Sequence, residues 1–398
     1  MTEEKKISPY PDNIAIIGGG RWARVLTEVL CDIVPPAVSV SVHTLHNAES
    51  MSVWATSRGL DGRVFVSSEW PQFLYGRSNA VIVANAARDH EQAVQWALSA
   101  GVPVLVEKPV ALSASATQRL SDLANRHNIR FAAAHVFLFA RYLDNFSKLV
   151  ADAGDIQSLQ MHWTDPQLEN RYGEQKQYDS SLPIFSDCLP HILSMIGALT
   201  PNLPGKCEIA KFLRGGACLE IEIMLGDIPC IISLERNSEK RRRLITATTG
   251  QKMLRLDFSK EPGIITDGST TIVGDPDWEV KQRPIARMLT AFLTWVRSGE
   301  YDSRLDVEVG LRACLVIDKI WDKYRSAMKS WLVDSLSSAG PIDDDLRYAL
   351  YELLQSKDRL SGTEVDKQIE QVRQQFPKAD GAQLLTELNR TLYPAGLH

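Results

Sequence analysis

Short apolar runs alternate with helix-like segments over the first third of the chain, and this alternation restricts the fold more than any other feature. Strand-like runs occupy residues 14–17, 38–45, 80–84, 102–106 and 129–133, and helix-like segments occupy residues 22–32, 90–100 and 113–127. Parallel strands need long crossover connections, which helices of this length supply. We therefore predict an α/β Rossmann domain with a doubly wound parallel sheet over residues 1–130.

The pattern changes near residue 155, where short turns begin to separate the strands. Predicted strands span residues 156–163, 207–214, 217–225, 229–235, 243–248 and 253–258, and predicted helices span residues 187–199, 283–297 and 304–326. Close spacing with glycine turns favours an antiparallel meander. We predict an α+β domain over residues 131–329, built on a large, mainly antiparallel open sheet.

Residues 330–398 are predicted to form a helical C-terminal extension. Its apolar stripes, such as Leu346, Leu350 and Leu353, are too short to form an independent core. We expect the extension to pack on a neighbouring domain or subunit rather than to carry the chemistry.

Charge and composition limit the classes of partner. The 398 residues carry a formal net charge of −5, which gives no electrostatic reason to bind nucleic acid or an anionic membrane. No apolar run approaches the ~18 residues of a membrane span, and the N-terminus lacks the apolar core of a signal peptide. The six cysteines form no C-x-x-C pair, so no metal site is predicted. We expect a cytoplasmic protein that acts on a small molecule.

A glycine turn follows the first strand and fits the pattern G-x-G-x-x-A. Gly18 permits a tight turn, Gly20 lets the backbone approach a pyrophosphate, and Ala23 lets the following helix pack closely on the strand. The helix N-terminus attracts the anion. We predict that these residues, with Arg21 and Trp22, bind a dinucleotide; a plain strand-to-helix turn is the alternative.

The choice between NAD and NADP is read about 20 residues further on, at the end of the second strand. No carboxylate stands there to bind the ribose hydroxyls of NAD. His43 and Thr44, together with Arg21, would tolerate a 2′-phosphate. The sequence therefore favours NADP over NAD.

A lysine stands at the carboxyl end of the strand at 102–106, within Glu107-Lys108-Pro109. Open α/β sheets bind ligands at this edge. A cation here would stabilise a substrate alkoxide. The alternative is an ordinary solvated lysine at a strand end.

Asp187 and His191 are four residues apart and would share one face of a helix. Histidine is a natural general base for a hydroxyl proton, and Asp187 would orient it and favour its protonated form. The alternative is structural: with Ser186 or Asp187 as the N-cap, Pro190 lies in the first turn and His191 is an ordinary first-turn residue.

These motifs resemble the glucose-fructose oxidoreductase / inositol dehydrogenase / MocA family. The resemblance covers residues 12–327 and rests on the glycine turn, residues 80–84, 90–93 and 101–109, and Asp187 with His191. It implies hydride transfer on a sugar, cyclitol or nucleotide sugar, and a homodimer or homotetramer formed through the open sheet. It further implies that Lys108 contacts both the nicotinamide ribose and the substrate, and that Asp187 and His191 are the catalytic pair.

The remaining site predictions concern the flanks of this centre. Asn85, His90 and Glu107 are assigned to the cofactor side, although Asn85 stands where the family often has a Thr-Pro pair. Substrate contacts are predicted for Arg141, Arg171, Tyr172 and Lys176; for the last three, a plain solvated loop is the alternative. The basic run at residues 240–243 is interpreted as a solvated hairpin edge, with a site for the diphosphate of a nucleotide sugar as the alternative.

Two other functions stay open at this point. An imine reductase of a biosynthetic pathway would use the same lysine as an acid. A non-catalytic, ligand-sensing regulator would keep the Rossmann fold without needing Lys108 or His191.

Overall fold

The structure, a computed structural model, describes residues 10–72, 79–171, 173–175, 182–268, 270–338, 342–354 and 362–392. Two large sheets lie in this part of the chain, as predicted, together with C-terminal helices.

The first sheet is the predicted Rossmann sheet. Its strands are β1 (Asn13–Ile17), β2 (Ser39–His43), β3 (Val64–Ser67), β4 (Asn79–Val83), β5 (Val104–Glu107) and β6 (Phe131–Ala134). Its helices are α1 (Arg21–Ile33), α2 (Ala48–Ser57), α3 (His90–Ser99) and α4 (Ala114–Arg126). A further helix, α5 (Arg141–Asp152), follows the last strand and packs on the second domain. The strand order is β3-β2-β1-β4-β5-β6 with parallel neighbours throughout. The sequence had not predicted β3, α2 or α5.

Helices cover both faces of this sheet, which explains why its central strands β1, β4 and β5 are almost continuously apolar. Ile14 and Ile16 of β1 pack into one core, whereas Ala15 and Ile17 pack into the other. The strand order reverses between β1 and β4. A crevice therefore opens at the carboxyl ends of these strands, where ligands of such sheets bind.

The second sheet has eight strands and is mainly antiparallel. Its strands are β7 (Ile156–Pro166), β10 (Pro204–Leu213), β11 (Cys218–Leu225), β12 (Ile228–Ser238), β13 (Arg242–Thr249), β14 (Met253–Asp257), β15 (Ile264–Asp267) and β16 (Thr270–Val273). A separate two-stranded hairpin contains β8 (Asn170–Arg171) and β9 (Glu174–Gln175). The order is β10-β11-β12-β7-β13-β14-β15-β16, and β7 pairs with β12 in parallel. The last two strands were not predicted.

Helix α6 (Ile184–Leu199) starts three residues earlier than predicted. Ile184 and Phe185 are fully buried, so the apolar face of the helix begins before Asp187. Neither Ser186 nor Asp187 is the N-cap, and Pro190 lies inside the helix. The structural alternative, which placed Pro190 in a first turn capped by Ser186 or Asp187, was wrong on this point.

Five further helices lie in the described C-terminal ranges: α7 (Pro284–Ser298), α8 (Val307–Ser337), α9 (Asp344–Leu354), α10 (Gly362–Gln375) and α11 (Gly381–Leu392). Helix α8 runs through the predicted boundary at residue 330, because the buried side chains Met328, Leu332 and Leu336 continue its apolar stripe. Helices α9 and α11 pack on α8, so the extension lies on the rest of the molecule. Of the helices in the described ranges, none has the length and apolarity needed to cross a bilayer.

Gly215 lies in the turn between β10 and β11, on which α9 packs. Its φ is +60°, and a Cβ there would lie 2.8 Å from the Ala349 Cβ and 2.8 Å from the Asp345 carbonyl oxygen. We expect Gly215→Ala to lower the free energy of unfolding by about 1–3 kcal/mol more than Gly59→Ala. Gly59 has a similar φ of +69° with no atom nearby, so it isolates the backbone cost. Equal losses in urea unfolding would show that α9 does not dock here.

Candidate active site

A cleft of 1180 Å³ runs from the glycine turn to α6. The Rossmann domain contributes the turn and the carboxyl ends of β2, β4 and β5, and the second domain contributes α6, β7 and residues near β13. The cleft therefore joins the predicted cofactor residues and the predicted catalytic residues in one space.

The geometry of the glycine turn suits a pyrophosphate. Gly18 has a φ of +134°, and a Cβ there would lie 2.5 Å from the Ala84 carbonyl oxygen. Its N–H donates to the His43 carbonyl oxygen at 2.9 Å, which fixes the turn on β2. A Cβ on Gly20 would meet no atom within 4 Å, so its outer side faces open space at the N-terminus of α1. The residues present thus leave room for a phosphate group at a helix N-terminus.

The His43 side chain is already engaged at the end of β2. Its Nδ1 lies 2.7 Å from the Glu69 carbonyl oxygen, and its Nε2 lies 3.0 Å from the Ser41 hydroxyl. Burial lowers its pKa below the ordinary value for histidine, so the ring is neutral at pH 7. His43 therefore shapes this end of the cleft without offering a charge to a 2′-phosphate. Thr44 borders the turn, and Glu69, which the sequence reasoning had not considered, also lines this end.

His90 holds together two loops on the cofactor side. Its Nδ1 lies 2.7 Å from the Pro109 carbonyl oxygen, and its Nε2 lies 3.3 Å from the Asn85 carbonyl oxygen. The ring is 1% exposed, and burial lowers its pKa. His90 therefore anchors the segment that follows Lys108 rather than reaching into open space.

Two buried side-chain acceptors lie on the cofactor side, on Asn85 and Glu107, and both residues line the cleft. The Asn85 Oδ1 has no hydrogen-bond partner in the described part of the chain, whereas the Glu107 carboxyl meets the Trp22 side chain. Burial raises the pKa of Glu107 to about 7. Buried acceptors without partners are costly, so they are suited to a ligand that donates hydrogen bonds. Trp22 lines the cleft beside them.

Lys108 joins the two domains at the centre of the cleft. Its Nζ donates to the Asp187 Oδ1 at 2.6 Å and to the Asp187 carbonyl oxygen at 3.0 Å. The side chain is 17% exposed. Burial alone would lower its pKa, but the Asp187 carboxylate outweighs burial and raises the pKa above the ordinary value for lysine. The solvated-lysine alternative does not describe this residue.

The Asp187 carboxylate lies between two cations. Its Oδ2 accepts a hydrogen bond from the Arg236 Nη2 at 3.1 Å, while its Oδ1 accepts from Lys108. The sequence had not predicted the contact with Arg236. Through these two contacts Asp187 places Lys108.

Aromatic rings orient His191. Its ring is stacked on Trp163, with centroids 5.6 Å apart, and meets Phe137 edge-on at 4.9 Å. Its Nδ1 has no hydrogen-bond partner in the described part of the chain. Burial lowers its pKa well below the ordinary value, and the charge of Lys108 acts in the same direction. The charge of Asp187 raises this pKa, as predicted, but burial and Lys108 outweigh it, so the net pKa of His191 is lowered.

The four predicted substrate residues have different outcomes. Arg171 lines the cleft, with its Nη2 3.4 Å from the Glu261 Oε2. Arg141 is not part of the cleft wall as far as the described residues define it; its guanidinium donates to the Asp275 carboxylate at 3.1 Å and to the Gln282 carbonyl oxygen at 2.8 Å. Tyr172 and Lys176 lie outside the described residues.

The interpretation of residues 240–243 as a solvated edge was wrong for two of the arginines. Arg243 is 1% exposed; its guanidinium lies 3.8 Å from the centroid of the Trp163 ring and donates to Asp165 at 2.5 Å. Arg241 also lines the cleft, where burial lowers its pKa to about 10. The alternation of inward and outward side chains along β13 would have indicated that Arg243 is buried. Arg243 shares the inward face of the strand with Ile245 and Ala247.

Fold and cleft together define a two-domain protein with a dinucleotide-binding Rossmann domain. Residues 13–135 match the family model described as "Oxidoreductase family, NAD-binding Rossmann fold", the glucose-fructose oxidoreductase / inositol dehydrogenase / MocA family. This match over the Rossmann domain confirms the resemblance stated from the motifs. The description also agrees with the predicted oxidoreductase class and nicotinamide cofactor.

Curated relatives match over parts of their lengths. The chain is 26% identical over 205 residues to the myo-inositol dehydrogenase Hyg17 of Streptomyces leeuwenhoekii. This match covers 48% of this chain and 58% of that protein. It is 32% identical over 120 residues to the inositol 2-dehydrogenase of Acidothermus cellulolyticus. That match covers 30% of this chain and 34% of that protein. The chain thus matches little more than half, and about a third, of these two relatives.

A solved structure supports the whole two-domain fold. The UDP-N-acetylglucosamine 3-dehydrogenase of Acidithiobacillus ferrooxidans superimposes with a TM-score of 0.64 at 17% identity. The match covers 80% of this chain and 99% of that protein. This likeness concerns the fold alone.

Proposed function

We propose that this protein is an NAD(P)-dependent oxidoreductase that transfers a hydride to or from a sugar-like hydroxyl or ketone. The substrate class includes sugars, cyclitols and nucleotide sugars. Lys108, Asp187 and His191 are its reacting and supporting groups. The inositol dehydrogenases named above favour this class of substrate.

One observation carries the proposal: the hydrogen bond of 2.6 Å from the Lys108 Nζ to the Asp187 Oδ1 lies in the same cleft as the glycine turn. A dehydrogenase needs a cation beside the reacting oxygen and a place for the dinucleotide next to it. This cleft combines both, with the lysine held by the opposite domain.

The arrangement of hydrogen bonds suits an alkoxide. Asp187 takes two of the hydrogen bonds that the Lys108 ammonium can donate, and an ammonium has three donors. The third serves a substrate oxygen and stabilises the negative charge that develops on it. A bound nicotinamide supplies the hydride acceptor or donor.

His191 is suited to accept the hydroxyl proton during oxidation. Its lowered pKa keeps the imidazole neutral near pH 7, so one ring nitrogen is an acceptor. Trp163 and Phe137 fix the plane of the ring. The proton moves from the substrate oxygen to this nitrogen, and it returns by the same route during reduction.

Turnover assays test the proposal. The protein is mixed with NAD⁺ or NADP⁺ and a panel of cyclitols, aldoses and nucleotide sugars, and formation of reduced nicotinamide is followed. We expect turnover on at least one member, with NADP⁺ preferred as the sequence suggests. Binding of neither dinucleotide, measured by quenching of intrinsic tryptophan fluorescence, would refute the proposal.

His191→Asn is expected to remove the acidic limb from the pH profile of kcat/KM for oxidation. Oxidation requires the neutral ring, so in the wild type the rate falls as pH drops through the pKa of His191, below its ordinary value. Asparagine has similar size but exchanges no proton in this range. His127→Asn, at the exposed end of α4, is the control. Persistence of the limb in His191→Asn would assign the proton to another group.

We further propose that two or four copies associate through the second sheet. Several large apolar side chains are exposed on its strands, namely Leu213, Met224, Met253, Ile264, Ile272 and Val273. Exposed apolar groups of this kind favour an interface. Light scattering of the purified protein measures its oligomeric state. A monomer would refute the proposed association.

A further inference from the structure

Arg236 is a buried arginine behind the proposed active site. It lies near the end of β12 and is 1% exposed. Its Nη2 donates to the Asp187 Oδ2 at 3.1 Å, and its Nη1 donates to the Leu182 carbonyl oxygen at 2.7 Å. Arginine keeps its charge when buried, so it needs negative partners close by.

The second negative partner comes from the C-terminal extension. Glu352 of α9 is buried, and its Oε1 lies 3.6 Å from the Arg236 Nη1. The hydroxyls of Tyr324 and Tyr348 both donate to this carboxylate. The Tyr348 hydroxyl also accepts from the Arg236 Nη1 at 3.3 Å. Arg236 is thus placed between a carboxylate of the active site and a carboxylate of the extension.

The position of α9 is itself fixed by the second domain. Arg214 forms ion pairs with Asp345 of α9 at 3.2 Å and with Glu235 at 3.0 Å, and Glu235 is the residue before Arg236. Gly215 allows the helix to approach the turn closely. The carboxylate of Glu352 is therefore presented by a docked element.

We propose that Glu352 and Arg236 are positioning residues through which the C-terminal extension holds Asp187 against Lys108. This inference rests on the proposed function, which makes Lys108 and Asp187 parts of the active site. The negative charge of Glu352 offsets part of the positive charge of Arg236. Arg236 is therefore attracted to both Glu352 and Asp187, rather than to Asp187 alone. Without the charge of Glu352, Arg236 draws Asp187 more strongly and loosens its bond to Lys108.

Glu352→Gln tests this role, because it keeps the shape of the side chain and removes its charge. We expect kcat to fall about tenfold with the KM for the cofactor unchanged, since the residues belong to one hydrogen-bond network. Glu370→Gln, on α10 of the same extension, is the matched control and keeps the wild-type kcat. Glu370 is half exposed and pairs with Arg373.

A second readout needs no turnover. Competitive labelling of lysine amines, analysed by mass spectrometry over a pH series, gives the titration midpoint of Lys108. At alkaline pH the neighbouring carboxyls of Glu107 and Asp187 are ionised, as is Glu352, whose pKa burial raises only to about 7. The midpoint of Lys108 should therefore move to lower pH in Glu352→Gln and stay unchanged in Glu370→Gln.

Tyr348→Phe covers the possibility that Glu352→Gln fails to fold. It keeps the ring and removes the hydroxyl that joins Arg236 to Glu352. The midpoint of Lys108 should move in the same direction by a smaller amount. Wild-type kcat and an unchanged midpoint in the folded variants would overturn the inference. A shifted midpoint in a protein without turnover on any substrate would support the network while refuting the proposed function.

Discussion

Lys108→Met is expected to lower kcat by about 100-fold or more, which is the loss typical of removing one electrostatic stabiliser of an oxyanion. Methionine has a similar length but cannot donate a hydrogen bond to the reacting oxygen. It also leaves Asp187 with Arg236 as its described cation. Steady-state kinetics with the best substrate of the panel gives the result.

A matched control separates the site from general charge effects. Lys148→Met removes a lysine that is exposed on α5 and is not among the described residues that line the cleft. Its kcat should equal that of the wild type. Turnover of Lys108→Met within a few-fold of the wild type would mean that the lysine does not act on the reacting oxygen.

Gly20→Val is expected to weaken dinucleotide binding by about 100-fold or more, equivalent to about 2.7 kcal/mol, while the fold persists. The structure distinguishes this position from Gly18. A Cβ on Gly18 would collide with the Ala84 backbone, whereas a Cβ on Gly20 meets no atom within 4 Å. A valine at Gly20 therefore fills the space left for the phosphates without disturbing the protein around it. Fluorescence titration and circular dichroism measure the two effects.

Gly62→Val is the control for this substitution, because Gly62 also has open space around its Cβ position. Its cofactor affinity should be that of the wild type. If Gly20→Val bound NADP⁺ and NAD⁺ as tightly as the wild type does, the pyrophosphate would not lie at this turn.

The Rossmann domain was predictable because its signals are local. The strands at residues 14–17, 80–84 and 102–106 are apolar on both faces, and the glycine turn follows the first of them. The strand Val64–Ser67 was missed because it is a run of only four residues, in which Phe65 is exposed. A short edge strand gives little periodicity to detect.

The candidate site was predictable only as a set of residue types. Lys108, Asp187 and His191 were identified from their local patterns, and the structure brings all three to one cleft. Which atoms meet depends on contacts between distant segments. The Lys108–Asp187 bond spans 79 residues and the Arg236–Asp187 bond spans 49, so neither pairing follows from spacing along the chain.

The buried arginines were the signal that sequence reasoning passed over. Arg236 continues the alternation of Cys230, Ile232 and Leu234, all of which point inward on β12. A charged residue at an inward position of a strand requires a buried partner. Applied to β12, that rule would have drawn attention to Arg236 without naming Asp187 or Glu352.

Direct transfer of a labelled hydride tests the central claim most closely. The best substrate of the panel is prepared with deuterium on its reacting carbon and incubated with the oxidised cofactor and the wild-type protein. Mass spectrometry of the reduced nicotinamide should show one deuterium per molecule formed, and Lys108→Met should form about 100-fold less of it in the same time. Reduced nicotinamide without deuterium, or the same yield from Lys108→Met, would contradict hydride transfer at this site.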